Sequence, residues 1–162
     1  MRALLLSMLA LAFAASPAEA ALTFRHADGT VVPITGKVHV WCGKWQFSVP
    51  TVNIFVRQAK PERTWQFFAR LKDIGPGVRQ RFPHDLVSSN PRGAELFTAS
   101  DGNEASTAEQ DASGSMTFTK VSCERGKTLA FRVDAWLGSE FSNGPREQIT
   151  GTFSGTIGKR PF

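Results

Sequence analysis

Three aromatic residues, Trp41, Phe68 and Trp136, alternate with apolar residues along segments that resemble strands. Successive side chains of a strand point to opposite faces of the sheet, so we expect these three rings to point away from the core. An outward aromatic ring beside hydroxyl groups can stack on a sugar ring or contact another protein. The strand expected beside Trp136 supplies such hydroxyls: Thr150, Thr152, Ser154 and Thr156. These aromatic residues are therefore the candidate ligand contacts.

A group of basic residues flanks the turn Gly75-Pro76-Gly77 and forms a second candidate surface: Arg70, Lys72, Arg79 and Arg81. Such side chains can bind the carboxylate or phosphate groups of an anionic envelope polymer. The competing interpretation is a solvated strand edge whose charges prevent sheet-to-sheet aggregation. Nucleic acid is not an expected partner, because it requires basic and aromatic residues interleaved on one surface.

No catalytic group is predicted. The three histidines, His26, His39 and His84, stand alone in the sequence, without HxxxH or HExxH spacing. The sequence also lacks a GxSxG motif, a P-loop and GxGxxG. We therefore predict no metal and no cofactor, and an enzyme remains possible only if its residues converge in three dimensions.

Cys42 and Cys123 are the two cysteines, and both lie in strand-like segments. No CxxC arrangement suggests a reactive thiol. The sequence predicts a structural disulfide between them, as is usual in an oxidising compartment.

The first twenty residues have the features of a cleaved export signal. Arg2 precedes an apolar run, Ser16-Pro17 breaks it, and Ala18-Glu19-Ala20 supplies small residues for cleavage. The run is too short to span a bilayer, and no later stretch is long and apolar enough to do so. We therefore expect a periplasmic or extracellular protein with no transmembrane segment in the mature chain.

The elements that must position these residues are predicted to be strands. The chain has 162 residues, 41% of them hydrophobic, and a net charge of +5, which excludes a disordered tail. Alternation runs through the segments around residues 38–42, 52–56, 65–71, 129–137 and 148–157, with turn residues between them. Residues 21–162 are thus expected to form a single all-β domain: an antiparallel, Greek-key-like β-sandwich of seven to nine strands, or else a closed β-barrel. The last two segments should pair as an antiparallel hairpin.

Residues 99–114 differ from the rest of the chain. They contain four acids, no basic residue and no large apolar side chain. Such a segment buries too little surface to offset its ordering entropy, so a mobile acidic loop is expected.

These observations favour an exported, non-enzymatic binding domain that recognises a surface polymer, a glycan or a protein partner. Two alternatives remain open at this point. One is a small-molecule carrier, in which the strands close into a barrel whose Phe-rich inner face lines a cavity. The other is an enzyme whose site is not visible in the sequence.

Overall fold

Eleven strands and one short 3-10 turn, Leu71–Asp73, make up the computed structural model. It describes residues 19–44, 50–59, 62–83, 94–100, 103–107, 111–138 and 146–161. The strands are β1 Glu19–Arg25, β2 Val31–Pro33, β3 Lys37–Lys44, β4 Pro50–Ala59, β5 Glu62–Arg70, β6 Arg79–Phe82, β7 Ala94–Ser100, β8 Asn103–Ser106, β9 Ser113–Lys120, β10 Thr128–Leu137 and β11 Glu147–Thr156.

The strands form two antiparallel sheets, which confirms the predicted β-sandwich. One sheet has six strands in the order β2-β1-β11-β10-β9-β6, and the other has five in the order β3-β4-β5-β7-β8. The count exceeds the predicted seven to nine because β2, β6 and β8 have only three or four residues each. Runs this short carry too little alternation to be recognised in a sequence.

The chain passes between the two sheets four times: after β2, after β5, after β6 and before β9. Among the described residues the sheets are joined at their margins by isolated contacts. Ser106 and Gly138 exchange two backbone hydrogen bonds of 2.9 Å, and the Gly158 amide donates to the Val40 carbonyl at 2.7 Å. The sheets do not close into a barrel, so the alternative architecture is wrong.

The predicted hairpin at the C-terminal end is confirmed as β10 and β11, in which Phe131 lies opposite Phe153. On its other side, β11 pairs with β1. Gly151 permits this pairing because its φ of +127° is unfavourable for other residues, and a Cβ there would overlap the Ala21 carbonyl oxygen of β1. The glycine therefore makes room for the neighbouring backbone of β1.

Phenylalanine rings from both sheets meet in the core. Phe67 of the five-stranded sheet lies 5.1 Å, centroid to centroid, from Phe131 of the six-stranded sheet, and Phe131 stacks on Phe153 at the same distance. Each buried ring of this size contributes about 1.5–3 kcal/mol to folding. These three rings pack on one another between the sheets.

The Cys42–Cys123 disulfide is confirmed. It joins β3 to the segment that follows β9, with 5.6 Å between the Cα atoms, and thereby ties one sheet to the other. Its partners are 81 positions apart, so the bridge closes a long loop of the unfolded chain. Constraining a loop of that length stabilises the folded state by about 4–5 kcal/mol in the chain-entropy treatment.

Part of the segment 99–114, for which a mobile acidic loop is expected, lies in strands. Ser100 ends β7, β8 spans Asn103–Ser106, and β9 begins at Ser113. Ser106 and Thr107 are buried despite their polarity. β8 is paired through its backbone with β7, and its last residue, Ser106, with Gly138; such pairing needs no large apolar side chain.

The predicted export signal lies mostly outside the described residues, which begin at position 19. β1 starts at Glu19, and its first two residues pair with Ser154 and Phe153 of β11. Cleavage after Ala20 would leave β1 with the five residues from Ala21 to Arg25.

Candidate functional site

Trp41 and Phe68 lie in one cross-strand row on the outer face of the five-stranded sheet. Trp41 of β3 is opposite Asn53 of β4, which is opposite Phe68 of β5. The neighbouring row places Phe55 of β4 opposite Gln66 of β5. Alternation along the three strands sends all five side chains outward because Val40, Ile54 and Phe67 occupy the inward positions.

The two rows form a pocket of about 250 Å³, here called the Trp41 pocket. Trp41 is 9% exposed, whereas Phe55 and Phe68 are half-buried. Besides the inward-facing Ile54 and Phe67, the lining consists of three aromatic residues, two amides and two cations: Trp41, Phe55, Phe68, Asn53, Gln66, Lys44 and Arg160.

Buried polar groups lie beside the pocket on this outer face. Asn53 Nδ2 donates to Thr51 Oγ1 at 3.1 Å, and both residues are buried. Buried polar atoms are costly unless they are paired, so this contact fixes the orientation of the Asn53 amide. The Trp41 indole also lies close to Gly43, where an added Cβ would be 3.5 Å from Trp41 Cδ1. The aromatic wall of the pocket is therefore held by close packing.

Two cations, Lys44 and Arg160, form the rim of the pocket. Lys44 is the last residue of β3. Arg160 arrives from the C-terminal segment, which the hydrogen bond from Gly158 to Val40 holds against β3. No acid is present among the described residues that line the pocket. The arrangement is suited to a ring-shaped ligand with a negative charge, because aromatic faces contact the ring and the cations pair with its charge.

Trp136 is separate from the other two candidate aromatics. It lies on the outer face of the six-stranded sheet, half-buried, opposite Ser113 and Gln148. It faces the same way as the hydroxyl row of β11, as the alternation predicted. Because the two sheets present their outer faces on opposite sides of a sandwich, the three aromatics do not form a single site.

The four residues of the candidate basic patch do not form one surface either, because one of them is buried and three are exposed. Arg70 is only 6% exposed, and its Nε lies 3.5 Å from Asp73 Oδ2, so it is not part of an exposed patch. Lys72 is exposed in the 3-10 turn, and Arg79 and Arg81 are exposed on β6. Gln80 Nε2 donates to the Asp73 carbonyl at 2.6 Å, which ties β6 to that turn.

A cluster that sequence reasoning missed joins the two sheets at the other end of β5. Glu147 Oε1 lies 3.8 Å from Arg63 Nη2 and 3.9 Å from His26 Nδ1. The Arg63 guanidinium also stacks over Phe24, 4.4 Å from the ring centroid. Burial raises the pKa of the Glu147 carboxyl, against a smaller lowering by Arg63 and then His26. No sequence pattern brings these residues together.

The described residues offer no evident metal site. Among them, no three His, Cys, Asp or Glu side chains lie close enough to hold one ion. His39 is half-buried on β3, opposite Phe55, and His84 lies outside the described residues.

Two pocket residues, Asn53 and Phe55, were not among the predicted contacts. Their outward positions in the alternating pattern of β4 could have identified them. Nothing in the sequence indicated Arg160, because its position depends on where the C-terminal segment runs.

Comparison of the chain with protein-family models, with curated protein sequences and with solved structures gives no match. The described part of the chain contains no helix with the length and apolar character needed to cross a bilayer. The fold and the site define a two-layer antiparallel β-sandwich with an aromatic, cation-rimmed pocket on one outer face.

Proposed function

We propose that the chain is an exported, non-enzymatic binding domain whose Trp41 pocket receives an acidic sugar unit of a surface polymer. The observation that carries this proposal is the meeting of aromatic rings, amides and two cations in one small cavity. Its volume of about 250 Å³ lies below the range of about 300–1,000 Å³ that is usual for drug-sized ligands. A single sugar ring matches that size better than a longer ligand does.

The chemistry of the lining supports an acidic sugar in particular. The faces of Trp41 and Phe68 are apolar and can contact the C–H face of a pyranose ring. The Gln66 amide can both donate to and accept from sugar hydroxyls. Lys44 and Arg160 can pair with a carboxylate, and hydrogen bonds to a charged group are stronger than those to a neutral one.

Action outside the cytoplasm is part of the proposal. It is supported by the signal-like residues 1–20 and by the Cys42–Cys123 disulfide, since such bridges persist mainly in oxidising compartments. Expression of the full chain in a bacterium, followed by intact-mass analysis of the periplasmic and medium fractions, tests this. We expect a mature chain that begins at Ala21. Retention of the whole chain in the cytoplasm would contradict it.

The ligand prediction is tested by titrating the folded protein with D-galacturonate and with D-galactose, which carries a neutral group in place of the carboxylate. We expect galacturonate to shift the NMR signals of the Trp41 indole N–H and of β3–β5. Arg160→Gln should weaken galacturonate binding by about tenfold to a hundredfold, because a charge-assisted hydrogen bond contributes about 1.5–3 kcal/mol. Galactose binding should not change.

Lys159→Gln is the matched control, since Lys159 is an exposed neighbouring cation that does not line the pocket. It should leave galacturonate binding unchanged. Equal binding of the two sugars, or an equal loss in both variants, would show that the pocket does not read the carboxylate. An acidic peptide is titrated in the same way. If it shifts the NMR signals of the pocket and neither sugar does, the pocket binds a protein partner rather than a sugar.

A further inference from the structure

The outer face of the six-stranded sheet carries cross-strand rows in which charged residues alternate with hydroxyl residues. One row runs through β6, β9, β10 and β11 with its members directly opposite one another: Arg79, Thr117, Arg132 and Thr152. The adjacent row repeats the pattern: Arg81, Ser115, Asp134 and Thr150. With strands about 4.8 Å apart, Arg79 and Arg132 stand about 10 Å from each other along the first row.

A shallow groove of about 570 Å³ follows this face. Its polar lining comes from Thr117, Thr119, Arg132, Thr152 and Ser154. Ala21 of β1 and Ala130 of β10 also line the groove, and their small side chains keep its floor low between the longer ones. The groove lies across several strands, on the opposite side of the sandwich from the Trp41 pocket.

The face is positively charged. Arg79, Arg81 and Arg132 are exposed, and none of them makes an ion pair with an acid in the part of the chain that the structure describes. Asp134 is the acid of the two rows, and its Oδ1 accepts a hydrogen bond from Gln148 Nε2 at 2.9 Å. Among the described residues, three exposed guanidinium groups on this face thus have no acidic partner.

We propose that this face binds a run of acidic polysaccharide, as a second binding surface distinct from the Trp41 pocket. Guanidinium groups pair with carboxylates in a planar, two-bond geometry. Ser and Thr hydroxyls between them can donate to and accept from sugar hydroxyls. An open groove that spans several strands suits an extended chain, whose binding adds up from several exposed contacts.

The face is less suited to the other common polyanions. Single-stranded nucleic acid binds where aromatic side chains interleave with cations, and Trp136 is the only aromatic on the described outer positions of this sheet. It lies two rows away from Arg132 along β10. The groove also presents no exposed large apolar side chain that would insert into a membrane.

The test compares two double variants that remove the same charge. The groove variant, Arg79→Gln with Arg132→Gln, changes Arg132 in the groove and Arg79 in the same cross-strand row. The turn variant, Arg125→Gln with Lys127→Gln, alters an exposed turn elsewhere. Binding of each to polygalacturonate, neutral dextran, duplex DNA and vesicles of anionic phospholipid is measured at fixed salt. We expect the groove variant to bind polygalacturonate about tenfold more weakly, and the turn variant to bind within about twofold of the unaltered chain.

A second variant, Thr117→Val with Thr152→Val, keeps the strand propensity and the shape but removes two hydroxyls. It should also weaken polygalacturonate binding, which a purely electrostatic surface would not do. Equal losses in the two charge variants, unchanged binding after loss of the hydroxyls, or tighter binding to DNA or vesicles than to polygalacturonate would each overturn the proposal.

The experiment separates this surface from the pocket. The groove variants are made both in the unaltered chain and with Arg160→Gln, and their circular dichroism is compared to verify folding. If the pocket binds no sugar, the effect of Arg79 and Arg132 on the polymer should persist in both. If the groove does not bind the polymer but the proposed function is right, the groove variants should bind polygalacturonate like the unaltered chain, and galacturonate should still bind at the Trp41 pocket.

Discussion

Glu147 lies between Arg63 and His26, which come from different sheets, and only part of its carboxyl reaches water. Arg63 comes from β5, whereas His26 follows β1. The pKa of Glu147 is nevertheless raised, because the cost of burying its charge exceeds the attraction of Arg63 and His26. At neutral pH this residue therefore links the sheets at some cost in stability.

The consequence is a defined pH dependence. Because the pKa of Glu147 is higher in the folded than in the unfolded chain, its stabilising contribution is present below the unfolded value and is lost as the pH rises through the folded one. Glu147→Gln cannot titrate, so the unaltered protein should gain stability relative to it on acidification from about pH 7 to about pH 4. Urea unfolding at several pH values measures this.

Glu124→Gln provides the control, because Glu124 is exposed in a turn. Its stability difference from the unaltered chain should vary little over the same range. If the stability difference between Glu147→Gln and the unaltered chain also varied little with pH, the prediction would be wrong. The attraction of Arg63 and His26 would then offset the cost of burying the Glu147 charge.

At the scale of the elements, the pairing of β1 with β11 depends on one glycine. Gly151 holds a positive φ at the point where the Ala21 carbonyl approaches most closely. Gly29 has a φ of +88° in the turn between β1 and β2, but an added Cβ there would meet nothing within 4 Å. A substitution at Gly29 therefore adds only backbone strain, whereas one at Gly151 adds backbone strain and steric overlap.

We expect Gly29→Ala to destabilise the fold by about 1 kcal/mol, the cost of holding alanine at positive φ. Gly151→Ala should cost more, about 2–3 kcal/mol or above, because overlap with β1 is added to the same strain. Chemical unfolding of both variants tests the difference. Equal losses would mean that β1 moves aside without a cost.

At the scale of the whole molecule, the disulfide and the shared core hold two sheets that few backbone bonds connect. Cys42 lies on the inward side of β3 and Cys123 beyond the end of β9, so the bridge crosses between the layers. The core between them is built from rings of both sheets, including Phe67 and Phe131.

Reduction of the bridge, or Cys42→Ser with Cys123→Ser, should lower the free energy of unfolding by up to about 4–5 kcal/mol. Unfolding in urea with and without a thiol reductant measures the change in midpoint. The double variant should not respond to reductant, which identifies the bridge as the source. A midpoint unaffected by reduction would show that core packing alone holds the sheets.

Much of the architecture follows from patterns within single strands. Alternation identified the inward residues of β4, β5 and β10, and the β10–β11 hairpin was predictable because its strands are long and near in sequence. The hairpin of β7 and β8 was not, since its polar residues are ordered by backbone pairing. The candidate contacts were partly recognisable: Trp41 and Phe68 share a pocket, whereas Trp136 belongs to another surface.

The sequence by itself determined that the chain is all-β, that two cysteines pair, and which face of each long strand is apolar, because these properties depend on residue type and period. Only the tertiary structure decided which strands are neighbours. That choice buried Arg70, set Arg79 in a row with Arg132, and brought Arg160 to Trp41. A period of two specifies that a side chain points outward but not what lies beside it, since neighbours across a sheet come from distant parts of the chain.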